Sequence, residues 1–83
     1  MYPTDFDELV AWFKKGKRTV YTTKHTYREY ANIYRVATYD HGDDDTIALR
    51  MQDSGALLII RKKNTTIDNS DVTFGDVGFQ LIF

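Results

Sequence analysis

The side chains able to carry out acid–base or nucleophilic chemistry are few and lie far apart along the sequence. Histidine is the residue type that exchanges protons near neutral pH, and the chain has two, His25 and His41. Ser54 and Ser70 lie in predicted turns, and neither has the G-x-S-x-G context of a nucleophile elbow. The absence of cysteine excludes a thiolate nucleophile and cysteine-bound zinc. We therefore expect no catalytic residue, no cofactor and no enzymatic activity.

Four aspartates fall within six residues, at positions 40–45. Hard divalent cations prefer carboxylate oxygens, but this run lacks the alternating spacing and the distal glutamate of a calcium-binding loop. A second interpretation is an acidic contact with a basic protein surface, and a third is a solvated hairpin loop. This spacing leads us to expect no metal site. Because like charges in a short loop repel and cost folding stability, the run should have a use, and we assign it to partner binding. Its aspartates are Asp40, Asp43, Asp44 and Asp45.

Seven of the eleven basic residues lie in two short runs. If folding brings the runs together, they would form a phosphate-binding patch with tyrosines available to stack on bases. The net charge of −1 argues against this, because generic polyanion binders carry a clear basic excess. Helix-dipole compensation explains the first run equally well, and protection of an apolar strand against aggregation explains the second. The runs are Lys14, Lys15, Lys17 and Arg18, and Arg61, Lys62 and Lys63.

Five of the six tyrosines lie between positions 21 and 39. Tyrosine is enriched at binding surfaces because it combines apolar area with a polar tip, but it is also common on half-exposed faces of small sheets. We place Tyr30, Tyr34 and Tyr39 beside the acidic run in the predicted partner-binding surface. Trp12 lies off the apolar stripe of the predicted helix, so it either closes the edge of the core or is exposed as an anchor.

Secondary-structure elements must position these side chains. The element that the sequence indicates most clearly is a helix near residues 4–15. Four apolar residues follow helical spacing and form one stripe. Asp5 and Glu8 have the spacing of a capping box, and Gly16 supplies a left-handed stop. The stripe consists of Phe6, Leu9, Val10 and Phe13.

The rest of the chain mainly predicts strands. Residues 19–23 are rich in β-branched side chains, and residues 77–83 alternate apolar and other side chains to the last position. Residues 46–52 and 56–61 flank the turn signal at 53–55, so we expect them to form a hairpin.

One stretch, 27–39, is ambiguous between helix and strand. Its tyrosines have helical spacing, but residues 31–39 are rich in strand-forming side chains. We favour a strand there, followed by a hairpin connection across 40–45. Only 64–71 resembles a long loop. The expected fold is α+β, a single domain over 1–83 with one N-terminal helix packed on an antiparallel sheet of about five strands.

The chain has 83 residues, which fits one domain. Its first ten residues carry three acidic and no basic side chains, unlike a secretory signal. No uninterrupted apolar run exceeds five residues, whereas a membrane-spanning helix needs about 20. We expect a cytoplasmic protein with no membrane association.

The absence of catalytic equipment and the segregated charges favour a small protein-binding domain that acts stoichiometrically on a host protein with a basic surface. By size and composition the chain is similar to phage and mobile-element proteins that inhibit host defence proteins, including anti-CRISPR proteins. A nucleic-acid-binding module that uses the basic runs and tyrosine stacking is an alternative. A further alternative is a homo-oligomeric structural or regulatory subunit, in which the strand ending at Phe83 pairs with a second copy if it lies at a sheet edge.

Overall fold

Seven antiparallel strands follow a single helix in residues 2–83, the part of the chain that this computed structural model describes. The helix, α1, covers Phe6–Lys14, and short 3-10 turns occur at Arg28–Tyr30 and Lys62–Asn64. The strands are β1 (Arg18–Lys24), β2 (Ile33–Gly42), β3 (Thr46–Met51), β4 (Leu57–Arg61), β5 (Thr65–Asp68), β6 (Asp71–Phe74) and β7 (Val77–Leu81).

The strands form one sheet in the order β4-β3-β2-β1-β7-β6-β5, and the sheet curls until it is nearly closed. The α+β class, the single helix and the antiparallel pairing are confirmed, but the prediction of about five strands is wrong. The final strand β7 lies between β1 and β6 rather than at an edge. The two edges are β4 and β5, which do not pair although only the turn at Lys62–Asn64 separates them.

The segment predicted as a long loop, 64–71, contains β5 and the start of β6. A tight turn at Asn69 and Ser70 joins the two strands, and Asn69 adopts a positive φ of 57°. Asparagine tolerates this left-handed conformation better than most residues. The inward side chains Ile67 and Val72 face each other across the pair, but each strand has only four residues and therefore a weak alternating pattern.

The strand prediction for 31–39 is confirmed by β2. In the ambiguous stretch 27–39, helical structure is limited to the 3-10 turn at Arg28–Tyr30. The loop predicted across 40–45 is shorter than expected, because β2 continues to Gly42 and only 43–45 lie outside the strands. An irregularity in the β2–β3 register at Tyr39–His41 accommodates this extension. The hairpin of β3 and β4 is confirmed, whereas the last strand ends at Leu81 rather than at Phe83.

Asp5 caps the N-terminus of the helix as the sequence predicts, but the Glu8 carboxylate has a different hydrogen-bond partner from the one expected in a capping box. A carboxylate oxygen of Asp5 accepts a hydrogen bond from the Glu8 backbone N–H at 2.8 Å. The Glu8 carboxylate in turn accepts from the backbone and hydroxyl of Thr4, both at 2.7 Å, rather than from the Asp5 backbone. Gly16 has a φ of 140° and follows the last turn, a conformation that costs glycine little.

The helix buries one face inside the curled sheet. Trp12 belongs to this face, so it closes the core and is not an exposed anchor. Val10, predicted in the stripe, is only partly buried. Trp12 lies about 60° from Leu9 around the helix, on the side away from Val10, so the buried stripe is rotated towards Trp12. The helix residues in the core are Phe6, Leu9, Trp12 and Phe13. Within residues 2–83, no helix is long and apolar enough to cross a membrane.

Candidate protein-binding surface

The acidic run divides into two environments. Asp43, Asp44 and Asp45 form the exposed β2–β3 loop. A carboxylate oxygen of Asp43 accepts from the Asp45 backbone at 2.9 Å, and the Asp43 backbone N–H donates to the Thr46 carbonyl at 2.8 Å. No three acidic or histidine side chains in the described part of the chain are placed to hold a metal ion. The loop is therefore ordered by its own backbone contacts and leaves the Asp44 carboxylate free.

Asp40 lies apart from the loop, within β2, and takes part in a cross-strand contact. Its carboxylate lies 2.7 Å from the His41 Nδ1 atom and accepts from the Arg50 guanidinium at 3.2 Å. The hydrogen bond with His41, and then that from Arg50, hold the pKa of the Asp40 carboxyl below its usual value. Asp40 therefore stabilises the β2–β3 pair, and the predicted four-residue acidic surface is reduced to three.

The second basic run lies against the acidic loop. The Lys62 backbone N–H donates to the Asp45 carbonyl at 2.8 Å. Asp45 and Thr46 line a cleft of about 570 Å³ together with the basic run of Arg61, Lys62 and Lys63. No ion pair joins these cations to Asp45 or to any other acid between residues 2 and 83. This end of β4 therefore presents cations that the chain itself does not neutralise by direct contact.

The first basic run lines clefts other than that of the second, and its Lys14 shares one with Asp43 and Asp44 of the acidic loop. The Lys14 ammonium lies 5.2 Å from the Tyr39 ring centroid. The Arg18 guanidinium lies 4.5 Å from the Trp12 ring centroid and donates to the Trp12 carbonyl at 2.8 Å. Lys15 lines a different cleft, beside Trp12, and Lys17 is exposed. The nucleic-acid hypothesis requires the two runs to meet, and the clefts that Lys14 and Lys15 line are different from the cleft that Arg61, Lys62 and Lys63 line.

The predicted tyrosine set is also divided. Tyr39 packs against the core under Lys14. Tyr34 lies on the outer face of the sheet, 67% exposed, with its ring centroid 4.9 Å from that of Tyr21. Tyr30 lies at one end of the sheet, where its ring centroid is 4.1 Å from the Arg35 guanidinium carbon. Tyr39 also lines a cleft with Asp43 and Asp44 and therefore lies beside the acidic loop, whereas Tyr30 and Tyr34 lie on other surfaces.

A recess at that end of the sheet was not predicted. It has a volume of about 310 Å³ and lies between the β1–β2 connection and the start of β4. Its signal in the sequence was the alternation of β2, in which Arg35 and Ala37 share the inward face. We define the end recess by five of the residues that line it, which are His25, Tyr27, Tyr30, Leu57 and Leu58.

The floor of the end recess is electrically neutral. Arg35, only 5% exposed, donates two hydrogen bonds to the Asp53 carboxylate, at 2.8 and 2.9 Å. The hydrogen bond from Arg35 holds the pKa of the Asp53 carboxyl below its usual value, which favours the ionised carboxylate. The opposite charges cancel at short range, and the recess therefore suits apolar or aromatic groups.

The end recess borders the free edge of β4, because Leu57 and Leu58, the first two residues of β4, line it. The Met51 backbone N–H donates to the Ala56 carbonyl at 2.9 Å, which fixes the phase of the β3–β4 ladder. Hydrogen-bonded and non-hydrogen-bonded pairs alternate in an antiparallel ladder, so Leu58 and Ile60 direct their backbone groups towards β3. Leu57 and Ile59 consequently direct their N–H and C=O groups towards the unpaired edge.

The side chains of this edge are apolar and exposed. Leu57 is 38% exposed and Ile59 is 42% exposed on the outer face, whereas Ile60 is buried and Leu58 is half-buried on the inner face. Native proteins usually protect sheet edges with charged residues, proline or bulges. β4 has a charge only at its last residue, Arg61.

No family of known proteins matches the chain, and no curated protein and no solved structure is significantly similar to it.

Proposed function

We propose that this protein is a non-enzymatic protein-binding domain that pairs an extended segment of its partner with the free edge of β4. The observation that carries the proposal is the unpaired edge at Leu57 and Ile59, where free backbone groups lie between exposed apolar side chains. Strand addition satisfies those backbone groups and covers those side chains in one step.

The energetics favour a segment of a few residues. Each net backbone hydrogen bond contributes about 0.5–1.5 kcal/mol, and covering apolar area contributes about 25 cal/mol per Å². Two residues of the edge, Leu57 and Ile59, each offer a donor and an acceptor. Such a contact reaches useful affinity only when side chains add to it, so the flanking charges and recess are part of the proposed surface.

A second candidate contact is the acidic loop, which would meet a basic surface on the same or another protein. It is favoured by the exposed position of Asp43, Asp44 and Asp45 and by the absence of any ion pair to them within residues 2–83. Stoichiometric inhibition of a host defence protein is one role that either contact would serve.

The experiment that tests the proposal is capture of partners from a host lysate, with and without nuclease, followed by mass spectrometry. The edge variant is Ile59→Pro, because proline removes an N–H that points away from β3 and is tolerated at such edge positions. The matched control is Ile59→Thr, which keeps the N–H. We expect a nuclease-resistant protein partner that Ile59→Pro loses and Ile59→Thr keeps.

The loop variant is the triple change Asp43→Asn, Asp44→Asn and Asp45→Asn, which keeps the side-chain acceptor of the Asp43 turn. Loss of the partner with this variant and retention with Ile59→Pro would move the contact to the acidic loop. Partners that disappear with nuclease would contradict the proposal in favour of nucleic-acid binding. A dimer in size-exclusion chromatography with light scattering, abolished by Ile59→Pro, would identify a second copy as the occupant of the edge.

A further inference from the structure

The proposed edge pairing also restricts the sequence of the partner segment. In an antiparallel sheet, residues directly opposite one another point to the same face. Leu58 faces the inner side, where it lines the end recess, and Arg61 lies at the far end of β4 on the outer side. A segment residue opposite Leu58 therefore faces the recess, and one opposite Arg61 faces the unneutralised basic run.

The recess selects an apolar side chain, aromatic rather than charged. The Tyr27 and Tyr30 ring centroids are 6.5 Å apart, and that of His25 is 5.3 Å from Tyr30, so aromatic surface surrounds the mouth. Arg35 offers no net charge there because Asp53 neutralises it. Aromatic rings gain from edge-to-face contacts with such neighbours beyond their area burial.

The basic run selects an acidic side chain. Arg61, Lys62 and Lys63 form no ion pair among residues 2–83, although Asp45 lies in the same cleft. A carboxylate opposite Arg61 would gain from the excess of positive charge, and the gain should fall with salt because the site is exposed.

A second copy of this chain fits these requirements poorly. If two β4 strands paired antiparallel about Ile59, Leu57 of one copy would lie opposite Arg61 of the other. That arrangement supplies no acid to either basic run and brings an extra cation near Arg50, which is opposite Leu57 within the sheet. Charge complementarity therefore favours a different, acidic chain.

We infer, on the basis of the proposed function, that β4 binds an antiparallel segment with an acidic residue opposite Arg61 and an aromatic residue opposite Leu58. Because an antiparallel segment runs from the Arg61 end to the Leu58 end, the acid precedes the aromatic residue by three positions. All pairs in this sheet are antiparallel, and an odd spacing directs the two side chains to opposite faces, as the site requires.

The probe is an acetylated, fluorescently labelled peptide of about nine residues, alternating Thr and Val, with Glu and then Phe three positions later. Fluorescence anisotropy measures its affinity for the full chain. Replacing Phe by Ala should weaken binding about tenfold or more, and replacing Glu by Gln about two- to fivefold, with the difference shrinking in high salt. A peptide with Phe first and Glu three positions later should lose the affinity that each of these two side chains contributes.

Variants of the protein assign each peptide residue to its site. Tyr27→Ala removes an exposed ring whose side chain makes no hydrogen bond within residues 2–83, and it should reduce the advantage of Phe over Ala in the peptide. Arg61→Glu should weaken the Glu peptide and improve a peptide with Lys at that position. Lys17→Glu is the matched control for charge, since Lys17 is exposed and outside the basic run at β4, and it should leave the preference unchanged.

Each outcome decides between the two proposals. Dependence on Phe, on Glu and on their order, abolished by Ile59→Pro, supports the inference. Binding that Ile59→Pro abolishes but that ignores Phe and Glu overturns the inference and leaves the edge-pairing function intact. Failure of every peptide to bind, while a lysate partner is captured by the wild type and lost by Ile59→Pro, also overturns only the inference. Binding that survives Ile59→Pro overturns edge pairing itself.

Discussion

Arg35 and Asp53 connect the start of β2 to the turn between β3 and β4 by two hydrogen bonds, from Nε at 2.8 Å and from Nη2 at 2.9 Å. The guanidinium is almost fully buried and also lies over the Tyr30 ring, whereas the carboxylate is 37% exposed. This contact fixes the position of the turn that leads into β4. Because Arg35 also lines the end recess, the ion pair links the recess to the turn that leads into the free edge.

Replacing Asp53→Ala should destabilise the protein by about 1–3 kcal/mol, because it leaves a buried cationic donor without its acceptor. Urea denaturation followed by circular dichroism measures the change. The double variant Arg35→Met with Asp53→Ala is the control, since replacing both partners of a buried pair by apolar groups is often close to neutral. A single variant as stable as the wild type would contradict a structural role for the pair.

Stability should fall at acidic pH partly because of Asp53. The pKa of its carboxyl is lower in the folded protein than the ordinary value near 3.9 of the unfolded chain, through the hydrogen bond from Arg35. The unfolded state therefore binds more protons, so the contribution is present above about pH 4 and is lost as pH falls through the folded pKa. Urea unfolding between about pH 6 and pH 2 should show a shallower decline for Asp53→Asn than for the wild type. Equal slopes would contradict this assignment.

Gly42→Ala should disrupt the end of the β2–β3 hairpin. A Cβ atom at this position would lie 2.6 Å from the Thr46 carbonyl oxygen and 3.1 Å from the Ile47 Cα atom, both backbone atoms that cannot move aside alone. We expect a loss of about 1–3 kcal/mol in thermal or urea unfolding. Asp44→Ala in the adjacent exposed loop is the control and should have little effect.

Asp5→Ala should cost about 1 kcal/mol, because the Glu8 backbone N–H loses its side-chain acceptor at the start of α1. Asp7→Ala is the comparison, since Asp7 is also acidic and in the first turn but caps no backbone group. The Asp7 variant should change stability by about 0.5 kcal/mol or less. Similar losses for the two variants would show that helix-dipole charge, rather than the cap, stabilises this end.

The helix and five of the seven strands were predictable from local signals, which agreed everywhere except at the start of β2. In α1, the apolar spacing, the cap at Asp5 and the stop at Gly16 all point to the same boundaries. β5 and β6 were missed because four-residue strands with polar outer faces resemble a polar loop. The correct number of strands could therefore be recognised only from the pairing of β6 with β7. No local sequence pattern indicates that pairing.

The candidate site was less accessible to sequence analysis. The acidic and basic runs were found, but the sequence could not indicate that Asp45 lies beside Lys62 or that Asp40 is tied to Arg50. Arg35 was missed because charged strand residues usually face solvent, and its partner Asp53 lies in a distant turn. The free edge of β4 follows from the strand order, and that order is set by contacts between segments far apart in the chain.

The pairing of β1 with β7 also has a kinetic consequence. Val20 lies opposite Leu81, so the two strands that complete the centre of the sheet come from nearly opposite ends of the sequence. The meander from β1 to β4 has only local connections and can assemble while the chain is being synthesised, but β1 keeps an open second edge until β7 emerges. Contacts of such long sequence separation slow folding, so nascent chains should expose two unpaired edges, β1 and the apolar β4, at the stage when aggregation and chaperone capture are most effective.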